Sequence, residues 1–219
     1  MIVWVGLPCQ KNFSQNIKSS RYLAHILPRL ILASSSAYRR ALLERLRLPF
    51  EVMSPDVDES QLPGEPSAQT ALRLAQAKAL KVGLGAPAAL VIGSDQVAAL
   101  DETCLGKPGD HAGAVAQLKA MRGKTVVFHT ALALLNTQSG ALQLANVPTR
   151  VRFRAYTDRE LERYLALEEP YDCAGSAKIE GLGIALVEGV ESDDPSALIG
   201  LPLVQLTTML RNEGVAVIG

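Results

Sequence analysis

The stretch Leu30-Ile31-Leu32-Ala33-Ser34-Ser35-Ser36-Ala37-Tyr38-Arg39-Arg40 constrains the chain more than any other. Four apolar residues read as a strand, three serines as a tight polar turn, and twin arginines open the helical pattern Ala41-Leu42-Leu43-Glu44-Arg45-Leu46. A strand that turns straight into a helix aims unpaired backbone N–H groups, serine hydroxyls and a guanidinium fork at one point, an arrangement that suits a phosphate. Taken alone, such a turn serves equally well as a plain helix cap with Ser36 as the capping residue.

The rest of the chain alternates in the same style. Leu30–Ala33, Phe50–Met53 and Ala89–Gly93 read as strands, the last placing Asp95 at a strand's exit, where ligands meet α/β sheets. Ser67 to Val82 carries Ala71, Leu72, Leu74, Ala75, Ala79 and Leu80 on a helical period, with Ser67 as its cap and Lys78 projecting from it. A short helix over Asp110–Met121 precedes a hairpin of Thr125–Leu135 with Leu142–Phe153, joined through Asn136-Thr137-Gln138-Ser139-Gly140. Thr157, with Glu160 placed for a capping box, opens a helix to about Leu167. Gly183–Val187 reads as a strand, and a last helix runs from Ser196 past Pro202, where a break is open, to about Arg211. Alternation followed by a long hairpin predicts an α/β fold with a mixed rather than purely parallel sheet.

Composition narrows the function classes. With 48% hydrophobic residues the chain can bury a core, and with 22 basic against 22 acidic residues it has no overall field to draw it to nucleic acid or an anionic membrane. Any phosphate affinity must therefore be local. Cys9, Cys104 and Cys173 are widely spaced and odd in number, which predicts a reduced, cytoplasmic protein; the opening residues lack a basic n-region, and no apolar run reaches membrane length. His25, His111 and His129 form no metal spacing, there is no Walker lysine motif, and Cys173 reads as a small buried hydrophobe. Residues 1–28 are polar over Lys11–Ser20 and lack sustained periodicity. They are expected to form a poorly ordered N-terminal extension, a regulatory tail or an artefact of start-site choice, ahead of a domain over 29–219.

Charged residues then recur in fixed order. Glu59 closes Val57-Asp58-Glu59, Lys78 lies in Leu74-Ala75-Gln76-Ala77-Lys78-Ala79, Asp95 in Val91-Ile92-Gly93-Ser94-Asp95-Gln96, and Lys107 in Leu105-Gly106-Lys107-Pro108. With Ala174-Gly175-Ser176 and Asp194-Pro195-Ser196-Ala197-Leu198-Ile199-Gly200-Leu201-Pro202, the chain from about Leu30 onward resembles the Maf-like family of nucleoside triphosphate pyrophosphatases. The resemblance implies a Maf/ITPase-like α/β fold, a mixed twisted sheet flanked by helices in two interleaved lobes with a central cleft. It also points to a homodimer, with a nucleoside triphosphate as partner and neither a nucleic acid polymer nor a membrane.

Phosphoanhydride hydrolysis needs charge neutralisation, a divalent ion and a group that orients or deprotonates water. Arg39, Lys78 and Lys107 meet the first need beside Ser34 and Ser36, while Glu59 and Asp95 offer oxygen ligands to Mg²⁺ or Mn²⁺. Asp95 as general base is implied by the resemblance. Each residue alone also fits a plainer role: Asp95 capping a turn, Glu59 in a solvated loop, Lys78 on the wet edge of a helix. By resemblance Ser176 and Lys178 lie beside the cleft, and Tyr38, Gln96 and Glu180 stand where branches of the family differ in substrate.

The branch acting on dTTP and UTP has arginine at the position of Tyr38. An aromatic ring with a carboxylate instead suits the cationic base of 7-methyl-GTP, by stacking with a cation–π component and by accepting hydrogen bonds from the guanine edge. Tyr38 stands where tryptophan is usual in that branch, and Ala37 where the family has proline. The resemblance leaves open dTTP, UTP or another modified nucleotide as substrate, and a nucleotide-binding regulator of cell division as a role of a different class.

Overall fold

The computed structural model describes residues 28–218. Apart from Pro28, the expected N-terminal extension lies outside the described residues. In chain order the elements are β1 (Arg29–Ala33), α1 (Ala37–Glu44), β2 (Glu51–Met53), α2 (Ser67–Gly83), β3 (Ala89–Leu100) and β4 (Thr103–Leu105). There follow α3 (His111–Met121), β5 (Thr125–Asn136), β6 (Leu142–Phe153), α4 (Asp158–Glu168), β7 (Val187–Glu191) and α5 (Leu203–Asn212). The sheet order is β2-β1-β3-β5-β6-β7, with β4 also on β3. β1 runs parallel to β2 and β3, and every later pairing is antiparallel, so the sheet is mixed as the sequence predicts.

Alternation along the strands gives the sheet two apolar faces. On one, α2 lays Ala71, Ala75 and Ala79 against Val91, Ala131 and Ala133. On the other, Leu42 and Leu43 of α1 and Leu206 and Met209 of α5 cover Leu32, Ile92, Leu132 and Leu134. A separate cluster forms at the far end of β3, β5 and β6, where Leu118 of α3 and Leu161 and Leu165 of α4 pack with Phe128, Val151 and Phe153. The two lobes share three long strands, so neither is a continuous stretch of sequence. No helix among the described residues is long and apolar enough to cross a membrane.

Four expectations need correction. β3 does not end at Gly93: its ladder with β5 continues from Gly93↔Ala133 to Ala99↔Val127, which places Asp95 in mid-strand. What ends there is the parallel neighbour, since β1 pairs only as far as Ala33↔Gly93 and β4 takes the same edge only from Ala98. Positions 94–97 therefore border a gap in the sheet edge, and the polar turn after β1 opens at that gap. The segment read as a strand over Gly183–Val187 is a 3-10 turn at Leu182–Leu186, and the strand begins at Val187. The last helix is broken at Pro202, which caps α5, and Ala197–Ile199 forms only a 3-10 turn. Ser67 is likewise the first residue of α2 rather than its cap; Pro66 holds the cap position and Ser67 Oγ lies 2.9 Å from Cys104 Sγ.

Candidate active site

The gap in the sheet edge opens into a cleft of about 800 Å³, a size that suits a nucleotide-like ligand. Its walls include Ser34, Ser36, Tyr38, Arg39, Glu59 and Lys78, with Asp95, Gln96, Lys107 and Glu180 completing the set predicted from sequence. All ten border one cavity. Of the two neighbours expected beside it, Ser176 is fully buried and donates to Gln117 Oε1 at 2.7 Å, while Lys178 Nζ is held 2.6 Å from Glu168 Oε1. Neither is among the residues lining the cleft.

The turn after β1 is folded by its own serines. Ser34 Oγ accepts the Ser36 N–H at 3.1 Å, and Ser36 Oγ caps α1 by accepting the Arg39 N–H at 3.4 Å. Both oxygens act as acceptors here, so their hydroxyl hydrogens are free to donate. The N–H groups of Ser35, Ala37 and Tyr38 have no backbone or side-chain acceptor among the described residues, as the start of a helix dictates. Arg39 uses Nε on the carbonyl of Gly200 at 2.9 Å, and its two terminal nitrogens have no ion-pair partner among the described residues. Burial lowers the pKa of its guanidinium while Asp95 and Glu59 pull the other way; the group remains a charged fork at the cleft wall.

Opposite this turn, Lys78 sits on the apolar stripe of α2 rather than on a wet edge. Its stripe partners Ala71, Leu74, Ala75, Ala79 and Val82 are buried, and Lys78 itself is 4% exposed. The ammonium is 2.7 Å from Asp95 Oδ1 and 2.5 Å from Glu59 Oε1. Burial raises the Asp95 carboxyl above its ordinary value, although Lys78 and Arg39 draw it down. Glu59 is half exposed and ends below its ordinary value, because Lys78, Lys107 and Arg39 together outweigh the effect of its burial. Glu59 is carried by a loop fastened to α2: Arg73 forms a fork to both oxygens of Glu65 at 2.7 Å each and donates to Ser60 O at 2.9 Å.

Each of the two carboxylates keeps one oxygen, Asp95 Oδ2 and Glu59 Oε2, without a protein donor among the described residues. Hard oxygens in a pair suit Mg²⁺ or Mn²⁺, and since no cluster of three or more acidic, histidine or cysteine ligands exists among the described residues, phosphate oxygens and water would complete such a shell.

The other end of the cleft has different chemistry. Tyr38 is 38% exposed, and its phenol is pushed up by burial first, with Lys178 countering and Cys173, Glu180 and Asp172 adding to the rise. Asp172 and Glu180 line this end and are exposed. Lys178 does not neutralise them, because Glu168 holds it. Cys173 lines the cleft instead of being buried, yet burial and the neighbouring Asp172 push its thiol up to about 12, so it is no nucleophile at neutral pH. Sequence reasoning missed Asp172, whose only signal was adjacency to Cys173-Ala174-Gly175. It also missed Ser94 and Thr130, whose role depends on contacts across more than sixty positions that no local pattern displays.

Similar proteins match most of this chain. A 7-methyl-GTP pyrophosphatase of Ralstonia nicotianae is 64% identical over 185 residues, covering 84% of this chain and 95% of that protein. Proteins of the same name from Cupriavidus metallidurans and Thiobacillus denitrificans are 61% and 60% identical, covering 85% and 87% of this chain and 94% and 95% of theirs. The family described as Maf-like protein matches residues 29–213, a span that begins at the first residue of β1, includes every residue of the cleft and ends just after α5. This chain belongs to the Maf-like protein family.

Proposed function

We propose that the protein is a nucleoside triphosphate pyrophosphatase that converts 7-methyl-GTP to 7-methyl-GMP and pyrophosphate with Mg²⁺ or Mn²⁺ as cofactor, in the cytoplasm. The observation that carries the reading is the polarity of one cleft. A cationic, serine-lined end holds Lys78 between Asp95 and Glu59, and the opposite end presents an aromatic ring with two carboxylates that no lysine or arginine among the described residues neutralises. The shared name of the relatives supports the same substrate.

In this reading the triphosphate lies against the Ser34–Ser36 turn, with the N–H groups at the start of α1 and the terminal nitrogens of Arg39 on its oxygens. Lys78 and Lys107 neutralise charge that shifts to the leaving pyrophosphate. Asp95 Oδ2 accepts the proton of the attacking water; its raised affinity for protons suits that task, and Lys78 on Oδ1 fixes the carboxylate's orientation. Asp95 and Glu59 would also hold a divalent ion, which would supply further neutralisation of the phosphate oxygens. At the other end a cationic purine stacks on Tyr38, while Glu180 accepts from its Watson–Crick edge.

The test is product analysis by chromatography over a panel of 7-methyl-GTP, GTP, UTP and dTTP with added Mg²⁺ or Mn²⁺. The expected result is monophosphate and pyrophosphate, with 7-methyl-GTP turned over best. Release of orthophosphate and a diphosphate in the first turnover overturns the cleavage position. Tight nucleotide binding with no turnover favours the regulator instead.

A further inference from the structure

The loop from Ala197 to Gly200 offers no side chain that could attack or protonate a phosphate, yet its carbonyls collect the polar side chains of the sheet beneath it. Gln96 Nε2 lies 2.9 Å from Thr130 Oγ1, 3.0 Å from Ala197 O and 3.0 Å from Leu198 O. Thr130 Oγ1 donates to Ala197 O at 2.9 Å. Ser94 Oγ is 2.9 Å from both Ala131 O and Gly200 O, its single proton shared between the two carbonyls. Gly200 O in turn accepts from Arg39 Nε. Gln96 and Thr130 are direct partners in the β3–β5 ladder, so the grip on the loop spans two hydrogen-bonded strands.

The accounting of donors is decisive. An amide nitrogen has two hydrogens, and that of Gln96 faces three acceptors, which leaves no hydrogen to offer a nucleobase. Arg39 has one nitrogen fixed on Gly200, and that contact sets the plane in which its other two nitrogens meet the cleft. Gly200 holds a φ of +118°, a conformation strained for any residue with a side chain, and a Cβ there would meet Arg39 Nε at 3.5 Å.

We infer that Gln96 and Ser94 are positioning residues that hold Arg39 through the Ala197–Gly200 strap, and that Gln96 influences catalysis by this route and not by donating its amide hydrogens to the base. The inference rests on the phosphate-binding role proposed for Arg39.

The experiment is a set of double-mutant cycles. Gln96→Glu, which keeps the shape and replaces donors with acceptors, Ser94→Ala and Thr130→Val are made in the wild-type and in the Arg39→Ala background. Dissociation constants for 7-methyl-GTP, GTP and dTTP are measured without added metal, together with kcat, KM and the thermal unfolding midpoint. In the wild-type background each substitution is expected to weaken binding about tenfold by the same factor for all three nucleotides, a charge-assisted contact being at stake. With Arg39 absent the same substitutions are expected to change it less than twofold. Equal losses in both backgrounds would mean that the residues only stabilise the fold, and a change in the ratio of 7-methyl-GTP to GTP would mean that Gln96 reads the base. Either result overturns the inference. The binding cycle remains decisive even if the wild type fails to release pyrophosphate, an outcome that counts against the proposed function alone.

Discussion

The carbonyl oxygen of Ala75 lies 2.1 Å from where a Cβ would stand on Gly93. Helix α2 approaches β3 that closely because the facing residues are small, with Ala71, Ala75 and Ala79 on the helix and Gly93 on the strand. The approach places Lys78, one turn further along α2, 2.7 Å from Asp95, two residues further along β3. A packing feature thus sets the separation of two charged groups in the cleft.

Gly93→Ala is therefore expected to force α2 outward and reduce both stability and turnover. Overpacking of this kind costs about 1–3 kcal/mol. Because the obstructing atoms are backbone, with Ala79 N also at 2.8 Å, no side-chain rearrangement relieves the clash. Thermal unfolding and kcat measured on the same preparation check it. An alanine variant with unchanged midpoint and unchanged kcat would show that the helix does not need its close approach.

Removing Lys78 should expose what it balances. Asp95 is 7% exposed, and its carboxylate would be left buried without its cation. Breaking a buried pair from one side typically costs about 3–5 kcal/mol. Lys78→Met is expected to lose stability of that order at pH 7. Asp95, already raised, would rise further, so the penalty is present above its folded pKa and disappears as acid protonates the carboxyl. Denaturant unfolding from pH 8 to pH 4 should show the difference from wild type shrinking as pH falls. Asp95→Asn, by contrast, is expected to keep the fold and lose about a hundredfold or more in kcat, the range for a missing general base.

Glu65 gives the opposite sign. The fork from Arg73 comes first among the causes that hold its carboxyl down at about 2 against an ordinary value of 4.5, with Thr70 and the Leu62 N–H also donating. A depressed folded pKa contributes stability that is fully present above 4.5 and is lost as pH falls from there toward 2. Glu65→Gln should flatten that acid-side loss. Because Arg73 also holds Ser60 O, next to Glu59, the variant is expected to raise KM as well. A pH titration of unfolding for both proteins checks the first effect, and steady-state kinetics the second.

Much of this was visible in the chain. The apolar run before Ser34 and the serines after it read as a strand meeting a helix, and Lys78 was legible as projecting from a helix, though not that it sits on the buried stripe among Ala71, Leu74, Ala75 and Ala79. Asp95 in mid-strand was not visible, because periodicity within β3 cannot show that its parallel neighbour stops at Ala33 while its antiparallel one continues. The strand expected over Gly183–Val187 failed because a short apolar run fits a 3-10 turn as well; there the carbonyl of Gly181 accepts the Ile184 N–H and that of Ile184 the Val187 N–H. The strap over Gly200 was hidden for a further reason. Its contacts join β3 and β5 to a loop a hundred residues later, and hydrogen bonds at that separation leave no local signature.

In the function proposed here, the selectivity of the cleft rests on Tyr38 and the acidic end beside it. Tyr38→Ala removes the ring on which a cationic purine would stack, and a cation–π contact contributes about 0.5–2 kcal/mol, a few-fold to about thirtyfold in kcat/KM when it persists in the transition state. Glu180→Gln keeps the shape and removes one charge, but Asp172 remains close to the same ring. The single variant should therefore fall in the lower part of that range, and Glu180→Gln combined with Asp172→Asn in the upper part. Neither should abolish hydrolysis, because the phosphate end of the cleft is untouched. The measurement is the kcat/KM ratio of 7-methyl-GTP to GTP, with dTTP as a third substrate. If the ratio holds constant through Tyr38→Ala and the double acidic variant, charge at this end does not select the base, and shape alone must.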